Sequence, residues 1–482
     1  MDITDVSGHL RPDACPGALQ VHTAADGALA RVRIPGGFLT AAQLGEVAAC
    51  AAELGSGVIE LTSRANLQVR GLRVTPAPPD GLRAGPGSGA AAASVPVFAA
   101  RMAAAGLLPS ATHERVRNIL ASPLAGRAPS SLVDVRPLVA DLDRRLCAAP
   151  ELAALSGRFL FALDDGTGDV LSCGADVTFL ATSPTGGVLL LGGARHAVPV
   201  TVSGAVPLML AAASAFMELS DGTAWRVTDL PDGPARLAAR LNPPTTQDPG
   251  PATPRQDARF PGPAPQGDQA PAQARRGDDQ AHAQARQGDD QTPAQARRGD
   301  DQAHAQARRG DDRGTMTPDV ETAARGAGVR DAGTRPQRDG RVALEVVVPL
   351  GRLSAGQATA LAACAAEIRV TPWRTVVLPD LPADAVQPIA DRLTAAGLVA
   401  VAGTPWAGLS ACTGRPGCAK SLADVQLDAR RWAERPSHEP PAHPVHWAGC
   451  ERRCGRPAGE VVDVVATPTG YRVAGRTEEE GI

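Results

Sequence analysis

The sequence predicts an α+β fold built on a duplicated strand–helix–strand unit. Residues 36–53 match residues 351–367 in step, and after a slip of five residues 59–69 match 368–378. In each copy an apolar strand precedes an Ala-rich helix, and a β-branched segment follows the helix. Residues 242–338, between the copies, almost lack large apolar side chains. We therefore expect the two copies to pair as one pseudo-symmetric domain across a long linker.

Periodicity predicts the elements in chain order. Residues 11–75 hold the first copy, which opens with the strand ALARVRI. Residues 76–241 are expected to form an α/β lobe, with helices at RMAAAGLL and VPLMLAAASAFMEL and strands at RFLFALDD, ADVTFLAT and GGVLLLGG. Residues 339–400 hold the second copy, which opens with RVALEVVVPL. Residues 401–482 contain an amphipathic helix, KSLADVQLDARRWAE, and a final pair of strands.

Residues 242–338 are predicted to be a disordered linker. Within them, units similar to AQARRGDDQ begin at Ala272, Ala283, Ala294 and Ala305, a period of eleven residues. On an apolar background this period indicates a right-handed coiled coil. Here there is no apolar seam and each unit carries a Gly and two Asp, so the composition favours a solvated spacer. A docking tag or a metal-binding His tract is the alternative.

Composition bounds the class of protein. The 482 residues are enough for roughly two or three hydrophobic cores, and the net charge of −3 argues against nucleic-acid binding. Lys420 is the only lysine, which indicates a nucleotide-composition bias and makes each arginine weaker evidence for anion binding. The N-terminus has neither the basic nor the apolar region of a signal peptide, and Ala205–Leu219 is short for a bilayer span. We expect a protein of the reducing cytoplasm without a membrane segment.

Four cysteines near the C-terminus are the strongest chemical signal. Cys412 and Cys418 have the spacing C-x5-C, and Cys450 and Cys454 have the spacing C-x3-C. Close pairs in a chain without a secretion signal indicate a metal or redox site rather than a disulfide framework. Four thiolates are the ligand set of a 4Fe–4S cluster, and C-x5-C is long for structural zinc. The spacing favours a cluster; zinc and four unliganded cysteines remain open.

A polar row is predicted in the first copy. Arg64, Asn66, Gln68 and Arg70 alternate along a predicted strand, so their side chains are expected on one face. A row of this kind fits the binding of carboxylates, because guanidinium groups pair with them in a bidentate manner. A solvated strand face, with Leu67 on the core side, is the alternative.

Seven short motifs are distributed over the two lobes, and none of them lies in the linker. They are CPG (15–17), LTSRANLQVRG (61–71), RNILASPLAG (117–126), RFLFALDDG (158–166), TPWR (371–374), CTGRPGC (412–418) and HWAGCERRC (446–454). Together and in this order they resemble the sulfite and nitrite reductase superfamily, and within it most closely the precorrin-3B synthases of aerobic cobalamin biosynthesis. The resemblance implies duplicated ferredoxin-like half-domains accompanied by α/β lobes.

The resemblance also implies a set of site residues. It implies a 4Fe–4S cluster on Cys412, Cys418, Cys450 and Cys454, beside a tetrapyrrole substrate, precorrin-3A, bound where the reductases hold sirohaem. Cys454 would also bridge a haem iron only if sirohaem were present. The residues expected to bind the substrate are Arg64, Asn66, Gln68, Arg70, Arg117, Asn118, Arg158 and Arg374, the last at the equivalent place of the second copy.

The implied reaction is an oxygen-dependent hydroxylation of precorrin-3A at C20 with closure of a γ-lactone. It implies a mononuclear non-haem iron and electrons that come ultimately from NADH. Two histidines and a carboxylate are the usual ligands of such an iron, but His438, His443 and His446 lie in a Pro-rich stretch without helical spacing, so we assign no ligands and no catalytic residue. No GxGxxG motif follows a strand, so a separate reductase partner is expected. The alternatives are a sirohaem-dependent sulfite or nitrite reductase and a non-catalytic electron-transfer protein.

Overall fold

Four β-sheets organise the part of the chain that the computed structural model describes. These residues are 13, 15–73, 94–193, 196–220, 222–242, 330–435, 441, 443–457 and 459–474. The eleven-residue repeats of the predicted linker lie outside them. All of the described residues belong to one unit by their contacts. The two halves of the chain can therefore be described together.

The first copy folds as an antiparallel sheet with one helix. It comprises β1 (His22–Ala24), β2 (Gly27–Val32), β3 (Phe38–Thr40), α1 (Ala41–Leu54), β4 (Val58–Leu61) and β5 (Leu67–Leu72). Helix α1 begins at a capping box, in which the Gln43 amide donates to Thr40 Oγ1 (3.1 Å) and the Thr40 amide donates to Gln43 Oε1 (3.0 Å). The segment 59–69, predicted as a single strand, is a hairpin of β4 and β5. Ala65 has a left-handed φ of 53°, which reverses the chain there.

The middle lobe has its own sheet and core. It comprises α2 (Ser94–Ala104), β6 (Ile119–Ala121), α3 (Arg136–Cys147), β7 (Phe161–Asp164), β8 (Val177–Ala181), β9 (Gly186–Leu191), β10 (His196–Thr201), α4 (Ala205–Leu219) and α5 (Gly233–Leu241). The strand order is β10-β9-β8-β7-β6. The stretch Val202–Leu219 has the length and apolar composition of a membrane span. Its residues Met209 and Phe216 are buried in the core of this lobe, as expected for the predicted buried helix.

The second copy repeats the first. It comprises β11 (Gly333–Pro336), β12 (Val342–Val347), β13 (Arg352–Ser354), α6 (Ala355–Ala362), β14 (Glu367–Val370), β15 (Thr375–Leu381) and α7 (Val386–Ala395). Helix α6 has the same capping box as α1, here between Ser354 and Gln357. Strand β11 lies within the predicted linker, which is a correction of the boundary at residue 338. The strand was missed because it is short and half-exposed, and because it is held chiefly by its pairing with β12.

The two copies exchange strands. Strand β13 of the second copy pairs with β4 of the first, and β3 of the first pairs with β14 of the second. The resulting sheets have the orders β1-β2-β5-β4-β13 and β11-β12-β15-β14-β3. Helices α1 and α6 pack against each other, and the apolar residues of both copies form one core. The expected pseudo-symmetric domain therefore has a specific basis, because each sheet is completed by the other copy.

The C-terminal region forms the fourth sheet. It comprises β16 (Leu409–Ala411), α8 (Val425–Ala433), β17 (Val445–Ala448), β18 (Val462–Thr467) and β19 (Gly470–Ala474). Strands β16, β17 and β18 are parallel neighbours, and β19 returns antiparallel. The carboxyl ends of β16 and β17 therefore lie at the same edge of the sheet.

Candidate functional site

The two cysteine pairs meet at that edge. Cys412 directly follows β16, and Cys450 lies two residues after β17, so parallel pairing of these strands brings the two loops together. The Gly449 amide donates to Cys412 Sγ (3.2 Å), and the Cys412 amide donates to the Trp447 carbonyl (2.9 Å). Burial, followed by the neighbouring Cys450 and Cys418, raises the pKa of Cys454. The four thiols thus lie close enough to one another to interact electrostatically.

The spacing of the sulfurs bears on the choice of metal. A tetrahedral zinc ion with bonds of about 2.3 Å holds its sulfurs about 3.8 Å apart. All four cysteines are described, and no three of their sulfurs lie within 4.8 Å of one another. In this structure the four sulfurs are therefore not gathered as tightly as a single zinc ion would hold them. Four cysteine thiolates are also the donor set that iron–sulfur clusters use, and an amide that donates to a ligand sulfur, as that of Gly449 does to Cys412 Sγ, is a type of contact that tunes such a group.

A cavity of about 500 Å³ lies against the cysteine loops. Cys412 and Cys454 form part of its wall, together with the turn at 61–64, the loop at 350–352 and strands of the first sheet. Six arginines and one glutamate are among its lining residues: Arg31, Arg64, Arg70, Arg352, Arg374, Arg456 and Glu60. The cavity is therefore a strongly cationic site.

Strand register produces a polar row along this cavity. Arg31 on β2 lies opposite Gln68 on β5, Gln68 lies opposite Glu60 on β4, and Glu60 lies opposite Arg352 on β13. Directly opposed residues share one face of a sheet, so the row crosses four strands. Arg31 Nε donates to Gln68 Oε1 (2.8 Å), Gln68 Nε2 donates to Glu60 Oε2 (3.0 Å), and Arg352 Nε lies 3.6 Å from Glu60 Oε1.

Arg70 joins the first sheet to the cysteine loop. Its guanidinium pairs with Asp26 (Nη2 to Oδ1, 2.7 Å) and donates to Thr413 Oγ1 (3.1 Å) and to the Gly417 carbonyl (3.4 Å). Thr413 and Gly417 lie between the two cysteines of the first pair. Arg70 therefore positions the loop, and most of its hydrogen-bonding capacity is used by the protein.

Two equivalent turns provide Arg64 and Arg374. The Ala65 amide donates to the Thr62 carbonyl and the Arg374 amide donates to the Thr371 carbonyl, so Arg374 takes the position of Ala65. Trp373 corresponds to Arg64. Burial, followed by the proximity of Arg226, lowers the pKa of Arg64 to about 10, and burial lowers that of Arg374 to about 10. Both remain cationic at neutral pH, and neither has a described carboxylate within 4.0 Å.

The structure places only some of the predicted residues at this cavity. Arg64, Gln68, Arg70 and Arg374 line it, whereas Asn66, Arg117, Asn118 and Arg158 do not. The prediction that Arg64, Asn66, Gln68 and Arg70 share one strand is wrong, because Arg64 lies in the turn before β5. Asn66 Oδ1 accepts from the Ile34 amide (2.9 Å), and its Nδ2 donates to Asn118 Oδ1 (3.1 Å).

The remaining predicted residues have structural partners. Arg117 forms a bidentate pair with Asp143, with Nε to Oδ1 at 2.6 Å and Nη2 to Oδ2 at 2.8 Å. The exposed Arg158 stacks over Trp225, with 5.0 Å between Cζ and the ring centroid. Arg31, Arg352 and Arg456 were missed. Alternation in ALARVRI places Arg31 on a strand face, but the cross-strand register cannot be obtained from that segment alone.

A second cavity of about 320 Å³ adjoins the first. The two share Ser63, Arg64, Arg374 and Arg456, so these side chains form the partition between them. The second cavity is further lined by residues that include Cys173, Arg226, Arg330 and Trp373. Ligands in the two cavities would therefore share the same arginines.

The histidines that precede Cys450 were considered as ligands of a mononuclear iron. His446 is fully buried on β17, and its Nδ1 lies 2.9 Å from Ser410 Oγ. Burial, followed by the charge of Arg374, lowers the pKa of His446 to about 3, so the ring is neutral. His443 is exposed, and His438 lies outside the described residues. In the described part of the chain, neither histidine joins a group of three ligand atoms within 4.8 Å.

Comparison with known proteins identifies the class first. The family described as the nitrite/sulfite reductase ferredoxin-like half domain matches residues 22–78 and 335–396, which are the two strand-exchanged copies. The chain therefore carries this half-domain twice. It aligns with the structure of the Mycobacterium tuberculosis NirA protein with a TM-score of 0.61 over 92% of this chain and 74% of NirA. At 19% identity this likeness shows the fold.

The particular relatives follow from sequence. The chain is 30% identical over 264 residues to a precorrin-3B synthase from Sinorhizobium sp, across 52% of this chain and 51% of that protein. It is 32% identical over 162 residues to the ferredoxin–nitrite reductase of Synechococcus elongatus, across 32% of this chain and 28% of the relative. The chain thus spans about half the length of the first of these curated relatives and less of the second.

Proposed function

We propose that this protein is a precorrin-3B synthase that binds precorrin-3A in the 500 Å³ cavity. The observation that carries the proposal is the cationic wall of six arginines placed directly beside Cys412 and Cys454. A tetrapyrrole precursor carries many acetate and propionate carboxylates, which guanidinium groups bind well. The similarity to the Sinorhizobium synthase supports this choice of substrate.

Four of the lining arginines would hold the carboxylates. Arg31 and Arg352 stand near the two ends of the polar row and Arg64 and Arg374 at the partition, so carboxylates on different sides of a macrocycle can be bound at once. Arg374 is 8% exposed, so its interaction with a carboxylate would be screened little by water. Its guanidinium also donates to the Gly455 carbonyl beside Cys454. Arg374 would thereby fix the substrate relative to the cysteine site.

The four cysteines would hold a 4Fe–4S cluster. When bound, such a cluster supplies electrons one at a time. Cys412 is half-buried, Cys454 is exposed, and both line the cavity. The Gly449 amide stabilises the thiolate form of Cys412, and Arg70 holds the loop between the first two cysteines.

The proposed reaction inserts one atom of O₂ at C20 of precorrin-3A, and a ring-A acetate closes as a γ-lactone. The second oxygen atom leaves as water with two protons and two electrons, which come ultimately from NADH. A reductase partner would deliver those electrons in the cytoplasm. A mononuclear non-haem iron belongs to this proposal, and its ligands are not assigned.

The second candidate is a sirohaem-dependent nitrite or sulfite reductase. The fold likeness to NirA and the similarity to ferredoxin–nitrite reductase favour it. In that case Cys454, at the cavity wall, would face the haem. The reduction of a small anion needs several basic residues around the anion. The single lysine, Lys420, is exposed and does not line the cavity, so it would not contribute to such a set, and this observation does not favour the second candidate.

The visible spectrum of anaerobically purified protein separates the candidates. The synthase is expected to show only a broad shoulder in the blue from the cluster, whereas sirohaem would add a strong Soret band and bands in the red. Incubation with precorrin-3A, O₂ and a reductase system should then yield a product heavier by one oxygen atom. A Soret band with nitrite or sulfite reduction would overturn the proposal. If the protein shows no haem bands and no turnover of precorrin-3A, it would be an electron-transfer protein.

A further inference from the structure

The loop that follows β7 gathers three carboxylates. Asp164, Asp165 and Asp169 each offer one oxygen, and these oxygens lie within 4.8 Å of one another. In the described part of the chain this is the only group of three or more His, Cys, Asp or Glu ligand atoms that close together. Asp164 and Asp165 are buried, at 0% and 1% exposure, so this group is not an ordinary solvated acidic surface.

The loop leaves one buried oxygen without a partner. Asp164 accepts backbone amides from Gly166, Gly168 and Val170, at 3.0, 2.8 and 3.2 Å. Asp165 Oδ1 accepts from Thr167 Oγ1 (2.6 Å), but Asp165 Oδ2 is buried and accepts no hydrogen bond. A buried carboxylate oxygen left in this way costs free energy unless something else binds it.

The loop is also short of positive charge. Arg330 is the described cation paired with these acids, and its Nη1 lies 3.5 Å from Asp169 Oδ2. Arg330 is shared, because its Nε lies 3.3 Å from Glu345 Oε2 and its guanidinium stacks over Trp373. Burial, followed by the charge of Asp169, raises the pKa of Asp164 to about 7. Asp165 contributes to the raised pKa of both Asp164 and Asp169, so its carboxylate faces the other two.

We propose that Asp164, Asp165 and Asp169 bind one hard divalent cation. Two oxygens on one ion are separated by at most twice the metal–oxygen bond, which is about 4.8 Å for Ca²⁺ with bonds of about 2.4 Å, and the three oxygens lie within that limit of one another. Hard cations prefer oxygen ligands, and Asp165 Oδ2 is the ligand that the protein leaves free. The bound cation would neutralise the acids that Arg330 covers only in part.

The site lies beside the second cavity. Arg330 lines that cavity, and so does Cys173, whose pKa is raised to about 12 by burial and then by Asp169. The cation would therefore stabilise the middle-lobe wall of the cavity rather than act on a substrate. This inference does not depend on the proposed reaction.

Isothermal titration of full-length protein freed of divalent ions by a chelator tests the site. CaCl₂ and MgCl₂ are titrated in parallel, and the cluster absorbance is followed to show that chelation leaves the cysteine site intact. One Ca²⁺ per chain should bind, and the MgCl₂ titration shows whether the smaller cation binds as well. Asp165→Asn, which keeps the shape of the side chain, should raise the Kd at least tenfold. Glu151→Gln, which removes an exposed carboxylate on the surface, should leave the Kd unchanged.

Circular dichroism decides whether a variant is folded. If Asp165→Asn does not fold, Asp169→Asn serves in its place, because Asp169 is only half-buried. No uptake at about 5 mM Ca²⁺, above the range of most weak protein sites, would overturn the inference. Equal affinity in a folded Asp165→Asn protein would do so as well, since the bound Ca²⁺ would then lie at a site that does not include Asp165.

Discussion

The Arg117–Asp143 pair permits a direct test of whether a predicted substrate-binding residue is structural. Arg117 is 4% exposed and Asp143 is 19% exposed by side chain, and the guanidinium also donates to the Leu107 carbonyl (3.2 Å). Arg117→Met would leave Asp143 as an unpaired anion and remove that donor. Breaking a buried pair costs about 3–5 kcal/mol, and the partial exposure of Asp143 places the expected loss near about 3 kcal/mol.

Thermal unfolding measures this loss. For the roughly 340 residues that the structure describes, about 3 kcal/mol lowers the Tm by about 4 °C. The double variant Arg117→Met/Asp143→Leu should recover most of the loss, because it removes both charges together. The KM for the tetrapyrrole should be unchanged in both variants. An unchanged Tm together with a raised KM would refute the reasoning and return Arg117 to the substrate site.

Three further predictions address the cavity, the cysteines and a link between lobes. Arg352→Met should raise the KM for the tetrapyrrole about tenfold, because it removes a carboxylate contact of about 1.4 kcal/mol, and it should leave the Tm nearly unchanged. Arg341→Met, at an exposed position, is the control. Equal KM values for the two variants would contradict the assignment of Arg352 to the substrate site. Cys454→Ser should abolish the cluster absorbance while Cys147→Ser retains it, as metal analysis would verify; full cluster content in the first would remove Cys454 from the ligand set. Arg127 Nε donates to Asp380 Oδ1 (2.8 Å) and holds the pKa of Asp380 at about 2, so this carboxylate stabilises the fold above its unfolded pKa of 3.8 and the contribution is lost as pH falls through 2. Asp380→Asn, which suits the left-handed φ of 63°, should therefore lose about 1–2 kcal/mol at pH 7 in urea unfolding and approach the stability of the wild type only below pH 2; a constant difference would exclude the charge effect.

The sequence was sufficient to predict the duplication, and it singled out the two cysteine pairs whose loops the structure brings together. Matching Ala-rich helices and their flanking strands predicted the two copies, because local periodicity survives in each. The cysteines were recognised by spacing, and the parallel pairing of β16 and β17 explains why two distant loops form one site. Both features depend on residues that are close in the chain or that carry a distinctive chemistry.

The lining of the cavity could not be predicted in the same way. Arg31 and Arg352 are far apart in sequence and belong to different copies, and only the exchange of β13 places them in one row. Arg117 and Asn118 looked like ligand-binding residues, but their partners Asp143 and Asn66 come from other elements. A polar side chain in a motif does not reveal whether its partner is a ligand or the protein itself.

The exchange of β3 and β13 has a consequence for assembly of the chain. Each copy alone would expose an unpaired sheet edge, so the fragments 1–242 and 330–482 should aggregate when expressed separately and reassemble when expressed together. Because the cost of closing a loop grows only logarithmically, each doubling of the intervening length adds only about 0.6 kcal/mol. The position between residues 242 and 330 is therefore one where evolution can lengthen the chain, or an experimenter can cut it, with little effect on the folded pair.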